Sequence, residues 1–166
     1  MIPGTMTAET SASRILVLGI GNTLLTDDGV GVRIIERLQN EAALAPVTFV
    51  DGGTLSFSLL SHLEDAQSML VVDAADFEAA PGTVRVFEAQ EMDRFIGRAR
   101  GRSVHEVGLA DVMDMARLHD CLPPQRALVC VQPASIDWGE ALSPAVAAAT
   151  PDACGRIRAL LSRWVS

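Results

Sequence analysis

A chain of 166 residues with 49% hydrophobic content is long enough for one domain with a sizeable core. Its formal charge of −8 argues against nucleic acid or an anionic membrane as the main partner and favours a basic partner tail. Residues 1–13 lack the basic start, apolar centre and cleavage region of a signal peptide. They read as a disordered N-terminal extension, followed by a single α/β domain over 14–166. No apolar run reaches membrane-spanning length. Cys121, Cys130 and Cys154 are odd in number and share no Cys-x-x-Cys spacing, so they read as reduced cytoplasmic thiols rather than a disulfide framework or zinc knuckle.

The chain begins its ordered part with a short apolar strand, Ile15 to Leu18, that exits through Gly19 and Gly21. Apolar residues at helical spacing follow over Val30 to Glu41, with Ile34, Ile35 and Leu38 inward. Val47 to Asp51 reads as a second strand ending in Gly52-Gly53, and Leu55 to Glu64 as a helix. Ser68 to Asp73 is apolar almost throughout, as a central strand buried on both faces would be. Gly82 to Phe87 alternates polar and apolar residues and reads as an edge strand, open to antiparallel pairing. Arg94 to Arg102 reads as a basic loop flanking the next helix, which runs from Ser103 to His119. Arg126 to Val131 is a further strand, and Pro144 to Trp164 is mostly helical, with an interruption expected at Pro151. Alternating strands and helices predict an α/β layered fold.

Chemistry-bearing residues fall where strands or turns meet helices. Asp27 and Asp28 stand at the first strand-to-helix turn. A strand entering a Gly-x-Gly turn also begins dinucleotide-binding units, but the third fingerprint glycine is Leu24 here, and the two carboxylates would repel a pyrophosphate. The turn suits a cation. Asp73 ends the central strand, at the sheet edge where ligands of open α/β sheets bind. His105 lies in Ser103-Val-His-Glu106, a capping-box pattern whose helix dipole favours the neutral imidazole that can ligate a metal. Each residue also has a structural reading: Asp28 as a cap, Asp73 as a turn residue, His105 as an exposed first-turn residue. Asp27 reads as a cap or solvated neighbour and Asp76 as a turn residue. Asp51, before Gly52-Gly53, is a second-tier site residue, and His62 and His119 read as structural.

The run Gly19-Ile-Gly-Asn-Thr-Leu-Leu-Thr-Asp-Asp-Gly-Val-Gly-Val-Arg33, with Val50-Asp-Gly-Gly-Thr54, Val71-Val-Asp-Ala74, His105-Glu-Val-Gly-Leu-Ala-Asp111, Cys130-Val-Gln-Pro133 and Leu142-Ser-Pro144, resembles the maturation endopeptidases of nickel-iron hydrogenases. The resemblance implies a three-layer α/β/α sandwich around a twisted, mostly parallel mixed sheet of about five strands. It implies metal-binding and catalytic positions at Asp28, Asp73 and His105, with Asp28 one methylene shorter than the Glu the family often carries. The implied activity is a nickel-dependent peptide-bond hydrolase, historically classed as aspartic. It would remove the carboxyl-terminal tail of a hydrogenase large-subunit precursor in the cytoplasm. Nickel would arrive with the precursor, with zinc or cadmium able to replace it in vitro. A monomer or weak dimer is expected. No Ser-His or Cys-His pair and no His-Glu-x-x-His helix offers another hydrolytic device. In the competing mechanism nickel is only a recognition handle, and an unbound carboxylate such as Asp51 or Asp27 activates the water. Two other classes remain: a non-enzymatic nickel-checking chaperone and, less favoured, a nicotinamide-dependent oxidoreductase.

Overall fold

In a computed structural model, the described residues are 14–41, 46–54, 57–99 and 104–165, with the side chains of 104–107 excepted. The five strands are β1 (Ile15–Ile20), β2 (Val47–Gly53), β3 (Ser68–Ala74), β4 (Val84–Glu88) and β5 (Gln125–Val131). They form one sheet in the order β2-β1-β3-β5-β4. The first four in that order run parallel, and β4 pairs antiparallel with β5 at the edge. The central position expected for the Ser68 strand and the edge position expected for the Gly82 strand are both observed.

The inner strands β1, β3 and β5 are buried on both faces because helices cover both. Along β1, Ile15 and Val17 enter one apolar cluster with Ile34, Ile35 and Leu38 of α1 (Val30–Gln39) and Ile157 and Leu161 of α5 (Pro144–Val165). Leu16 and Leu18 face the other way, as successive strand residues must. They join Leu63 of α2 (Leu60–Glu64), Met92 and Ile96 of α3 (Gln90–Ala99), and Leu109 and Met113 of α4 (Val104–Leu118). This three-layer arrangement places every parallel strand's carboxyl end on one rim, where β1 and β3, neighbours in the sheet, deliver their loops side by side.

Three expectations need correction. Arg94 and Arg98 lie on helix α3 rather than in a basic loop, while Arg100, Arg102 and Ser103 fall outside the described residues. The helix forms because Met92, Ile96 and Ala99 repeat at helical spacing and bury one face, while the arginines occupy the exposed one. Phe95 stacks on Phe87 of β4 with ring centroids 4.3 Å apart, and Arg126 of β5 grips Asp93 through two hydrogen bonds of 2.9 and 2.6 Å. Second, α5 runs through Pro151 without a break. Pro151 is exposed, so its missing N–H costs a helix hydrogen bond where water can serve the freed carbonyl, and burial of Val146, Ala149, Ala153 and Cys154 on either side holds the helix together. Third, the stretch expected as one helix from Leu55 to Glu64 is a 3-10 turn, Phe57–Leu59, leading into a short α2; Leu55 and Ser56 are outside the described residues. Residues 1–13, read as an extension, are also outside them.

The three cysteines form no disulfide, and burial of Cys154 raises its thiol pKa, which keeps it protonated and inert. Among the described residues no helix is long and apolar enough to cross a membrane.

Candidate active site

The rim formed by the carboxyl ends of β1 and β3 is built on close glycine packing. Gly21 has φ of +129°, and a Cβ there would lie 1.8 Å from the carbonyl oxygen of Asp28. Gly31, in the first turn of α1, would bring a Cβ within 2.2 Å of the Val72 carbonyl oxygen and 2.4 Å of that of Ile20. Only glycine lets the helix start sit directly on the two strand ends. The chain thus folds the 3-10 turn Thr26–Gly29 back over its own strand, so the turn packs beside β3.

Asp28 and Asp73 are both brought to this rim and buried there, at 4% and 2% exposure. The cap position of α1 is Gly29, which makes no side-chain cap hydrogen bond, and Asp28 Oδ2 instead accepts from the backbone N–H of Asn22 at 2.8 Å. Asp28 is therefore not the cap of its helix. Asp73 stands near the end of β3, level with Cys130 of β5. Two carboxylates taken out of water at neighbouring strand ends repel each other, and a divalent cation would offset that repulsion. His105 is the second residue of α4; its side chain lies outside the described residues, as do those of Val104, Glu106 and Val107. Among the described residues no three His, Cys, Asp or Glu side chains gather as a metal cluster.

Asp27 differs from its neighbour in a way the sequence did not disclose. It is fully buried rather than solvated, and its carboxylate accepts four hydrogen bonds from the loop that follows β5. The donors are the backbone N–H groups of Ser143 at 2.7 Å, Ala134 at 2.9 Å and Ser135 at 3.2 Å, together with the Ser143 hydroxyl at 2.8 Å. Burial alone would raise its pKa, but these donors outweigh burial and hold it below the ordinary 3.8. With both oxygens engaged and no exposure, Asp27 has no access to a water and is not the alternative base. Asp51 remains available: it is exposed at the carboxyl end of β2, with Oδ1 accepting from the Gly53 N–H at 2.8 Å.

Two further residues organise the rim. Gln132, 7% exposed, accepts from the N–H groups of Phe77 and Ala79 at 2.9 and 3.3 Å and donates to Asp76 Oδ1 at 3.2 Å, fixing the loop that leaves β3 just after Asp73. Asp76 also accepts from the Glu78 N–H at 3.0 Å, the turn role expected of it. Ser143 precedes Pro144 and starts α5, accepting from the Val146 N–H at 3.4 Å while donating to Asp27. Both belong to segments already singled out, Cys130-Val-Gln-Pro133 and Leu142-Ser-Pro144. A serine before a proline at a helix start was a readable cap signal; its tie to Asp27 was not. His62 and His119 are exposed and away from this rim.

The profile of the hydrogenase maturation protease family matches residues 32–159. The hydrogenase expression/formation protein HoxM of Cupriavidus necator is 39% identical over 152 residues, covering 90% of this chain and 75% of the relative. HupD of Rhodobacter capsulatus is 43% identical over 136 residues; the match covers 81% of this chain but only 64% of HupD, just under two thirds of its length. The solved structure of the hydrogenase maturating endopeptidase HybD from E. coli superimposes with a TM-score of 0.85 at 36% identity, covering 90% of this chain and 93% of that one. The chain belongs to the hydrogenase maturation protease family.

Proposed function

We propose that this protein is a metal-dependent endopeptidase that removes the carboxyl-terminal tail of a nickel-loaded hydrogenase large-subunit precursor in the cytoplasm. The observation that carries the reading is the burial of Asp28 and Asp73 at neighbouring strand ends, in a chain of the maturation protease family. The donor set of two carboxylates and, at the start of α4, one imidazole suits nickel, and equally zinc or cadmium. Selectivity would therefore come from the precursor bringing its own nickel. Bound there, the metal would polarise the scissile carbonyl or lower the pKa of an attacking water.

The chain's own contribution is position and charge. Asp28 is held by the Asn22 N–H and by the glycine packing beneath it, so the position of its carboxylate is fixed by the fold. Asp51 is the residue of this chain that could take a proton from water if nickel serves only as a recognition handle, since it is exposed at the next strand end. Mass analysis of a nickel-loaded precursor incubated with the protein tests the reading. A shortened precursor is the expected result, and an intact one bound to the protein would mean a chaperone instead. Nickel titration of the isolated protein and of His105→Ala then tests the ligand set. Weak binding that is lost in the variant is expected, and equal affinity in both would remove His105 from it.

A further inference from the structure

The loop between β5 and α5 joins a fixed backbone to unburied apolar side chains. Asp27 clamps both of its ends, at Ala134-Ser135 and at Ser143. Its middle is tied to the turn before Asp28: the Thr26 N–H donates to the Gly139 carbonyl at 2.6 Å, the Gly139 N–H to that of Leu24 at 2.9 Å, and the Asp137 N–H to Thr26 Oγ1 at 3.1 Å. Leu25 and Gly139 form a parallel bridge. The bridge and the bond from the Gly139 N–H to the Leu24 carbonyl set Leu24 and Trp138 on adjoining backbone segments. Both are exposed, Leu24 at 50% and Trp138 at 83%, and Ile136, two residues upstream, is at 52%. Single exposed apolar side chains are ordinary, but three on one pinned edge form a surface.

We propose that Leu24, Ile136 and Trp138 form the docking ridge for the precursor segment that adjoins the scissile bond, a proposal that rests on the endopeptidase reading above. The ridge is continuous with the candidate site, since Leu24 stands four residues before Asp28 on the same turn. Charge selects the occupant. Asp137 and Glu140, both exposed, bracket Trp138; Arg33 donates to the Glu140 backbone carbonyl, so two carboxylates face one guanidinium, and the surface fits an extended peptide with an apolar side chain beside a cationic one, to which a Trp face adds attraction. A second copy of this chain, with its charge of −8, is a poor match for the same acidic rim.

The two tryptophans and absent tyrosines supply the test, because Trp164 is 8% exposed and Trp138 is 83% exposed. Acrylamide quenching of the whole protein therefore reports mainly on Trp138. Saturating nickel-loaded precursor, its own tryptophans replaced by non-fluorescent 4-fluorotryptophan, should cut that quenching at least about twofold. Trp138→Ala should raise KM about tenfold with kcat within about twofold of wild type, and Trp138→Phe should recover most of the loss. Neutralising Asp137 and Glu140 together should raise KM at low salt and have little effect at high salt. Undiminished quenching, or wild-type KM in Trp138→Ala, would overturn the ridge while wild-type cleavage left the endopeptidase reading standing. Failure of wild type to shorten the precursor would instead overturn that reading. Quenching that falls as the enzyme alone is concentrated would assign the ridge to self-association.

Discussion

The carboxyl rim of the sheet buries its carboxylates and the β4 edge half-buries one, and the two neutralise them differently. At the edge, Asp93 is answered within the chain by the two-pronged guanidinium of Arg126, and Arg117 adds a second cation at 3.4 Å. At the rim, Asp27 is satisfied by N–H and O–H dipoles, and Asp28 and Asp73 are buried beside it. A fold can neutralise its own buried acid with an arginine when the acid serves stability. The rim instead gathers three acids at neighbouring strand ends and turns, and on the proposed reading a substrate's metal supplies the positive charge there.

The comparison breaks first at Asp28. Asp28→Asn keeps the size of the side chain and an oxygen to accept from the Asn22 N–H, so melting should change little. Losing the charge should lower precursor cleavage by at least about a hundredfold, as loss of a metal ligand or base commonly does. Asp28→Glu should retain substantial activity, because the carboxylate returns. Time courses of tail removal beside melting curves check both. A fully active Asp28→Asn protein would reduce the rim to the same scaffold role as the edge.

Asp27 should respond in the opposite way. Asp27→Asn replaces one acceptor oxygen with a donor that faces the N–H groups and hydroxyl of the 134–143 loop, and stability should fall by about 2–3 kcal/mol. Chemical denaturation measures this. Cleavage should weaken through a loosened loop, with KM rising more than kcat falls, whereas Asp28→Asn acts on kcat. Adjacent acids with opposite signatures would separate clamp from site.

That separation also marks how far the sequence could be read. The placement of Asp28 and Asp73 at one rim was legible because a short apolar strand, a glycine exit and a carboxylate are local features, and the parallel α/β topology brings strand ends together. Asp27 was not, since what distinguishes it from Asp28 is a loop that begins more than a hundred residues away in the chain and closes on it only in three dimensions. Helix α3 was hidden for another reason. Its run of arginines reads as a solvated loop, although Met92, Ile96 and Ala99 already carry the helical period. Pro151 argued locally for a break that the apolar face of α5 overrides.

The edge gives a third test, where function should be untouched. Asp93→Asn should cost about 1–3 kcal/mol, the range for disrupting a well-formed, largely buried carboxylate–guanidinium pair, with cleavage unchanged. The hydrogen bond from Arg126, opposed by burial and aided by the charges of Arg126 and Arg117, lowers the Asp93 pKa below 3.8. A depressed folded-state pKa stabilises the protein above the unfolded value, and that contribution disappears as pH falls through the folded value. The stability gap between wild type and variant should therefore be constant from neutral pH down to about 5 and narrow below about 4. Urea titrations across that range decide it, and a gap that widens in acid would mean the pair is not what Asp93 contributes.

The smallest effect belongs to Arg163 and Glu88, an ion pair at 2.8 Å on the same edge but with side chains 59% and 45% exposed. Water already solvates both groups, and holding two long side chains together costs rotamer entropy, so the net contribution of such pairs is under about 1 kcal/mol. Arg163→Gln should lower stability by less than about 0.5 kcal/mol, and added salt should shrink even that. The Arg126 pair, with side chains 13% and 24% exposed, should resist the same salt because little solvent enters between the charges. Parallel denaturation of Arg163→Gln and Asp93→Asn at low and high ionic strength reads the contrast directly. If salt erased both losses equally, shielding from solvent would not be what gives the Asp93 pair its strength, and the edge would hold its acid by surface electrostatics alone.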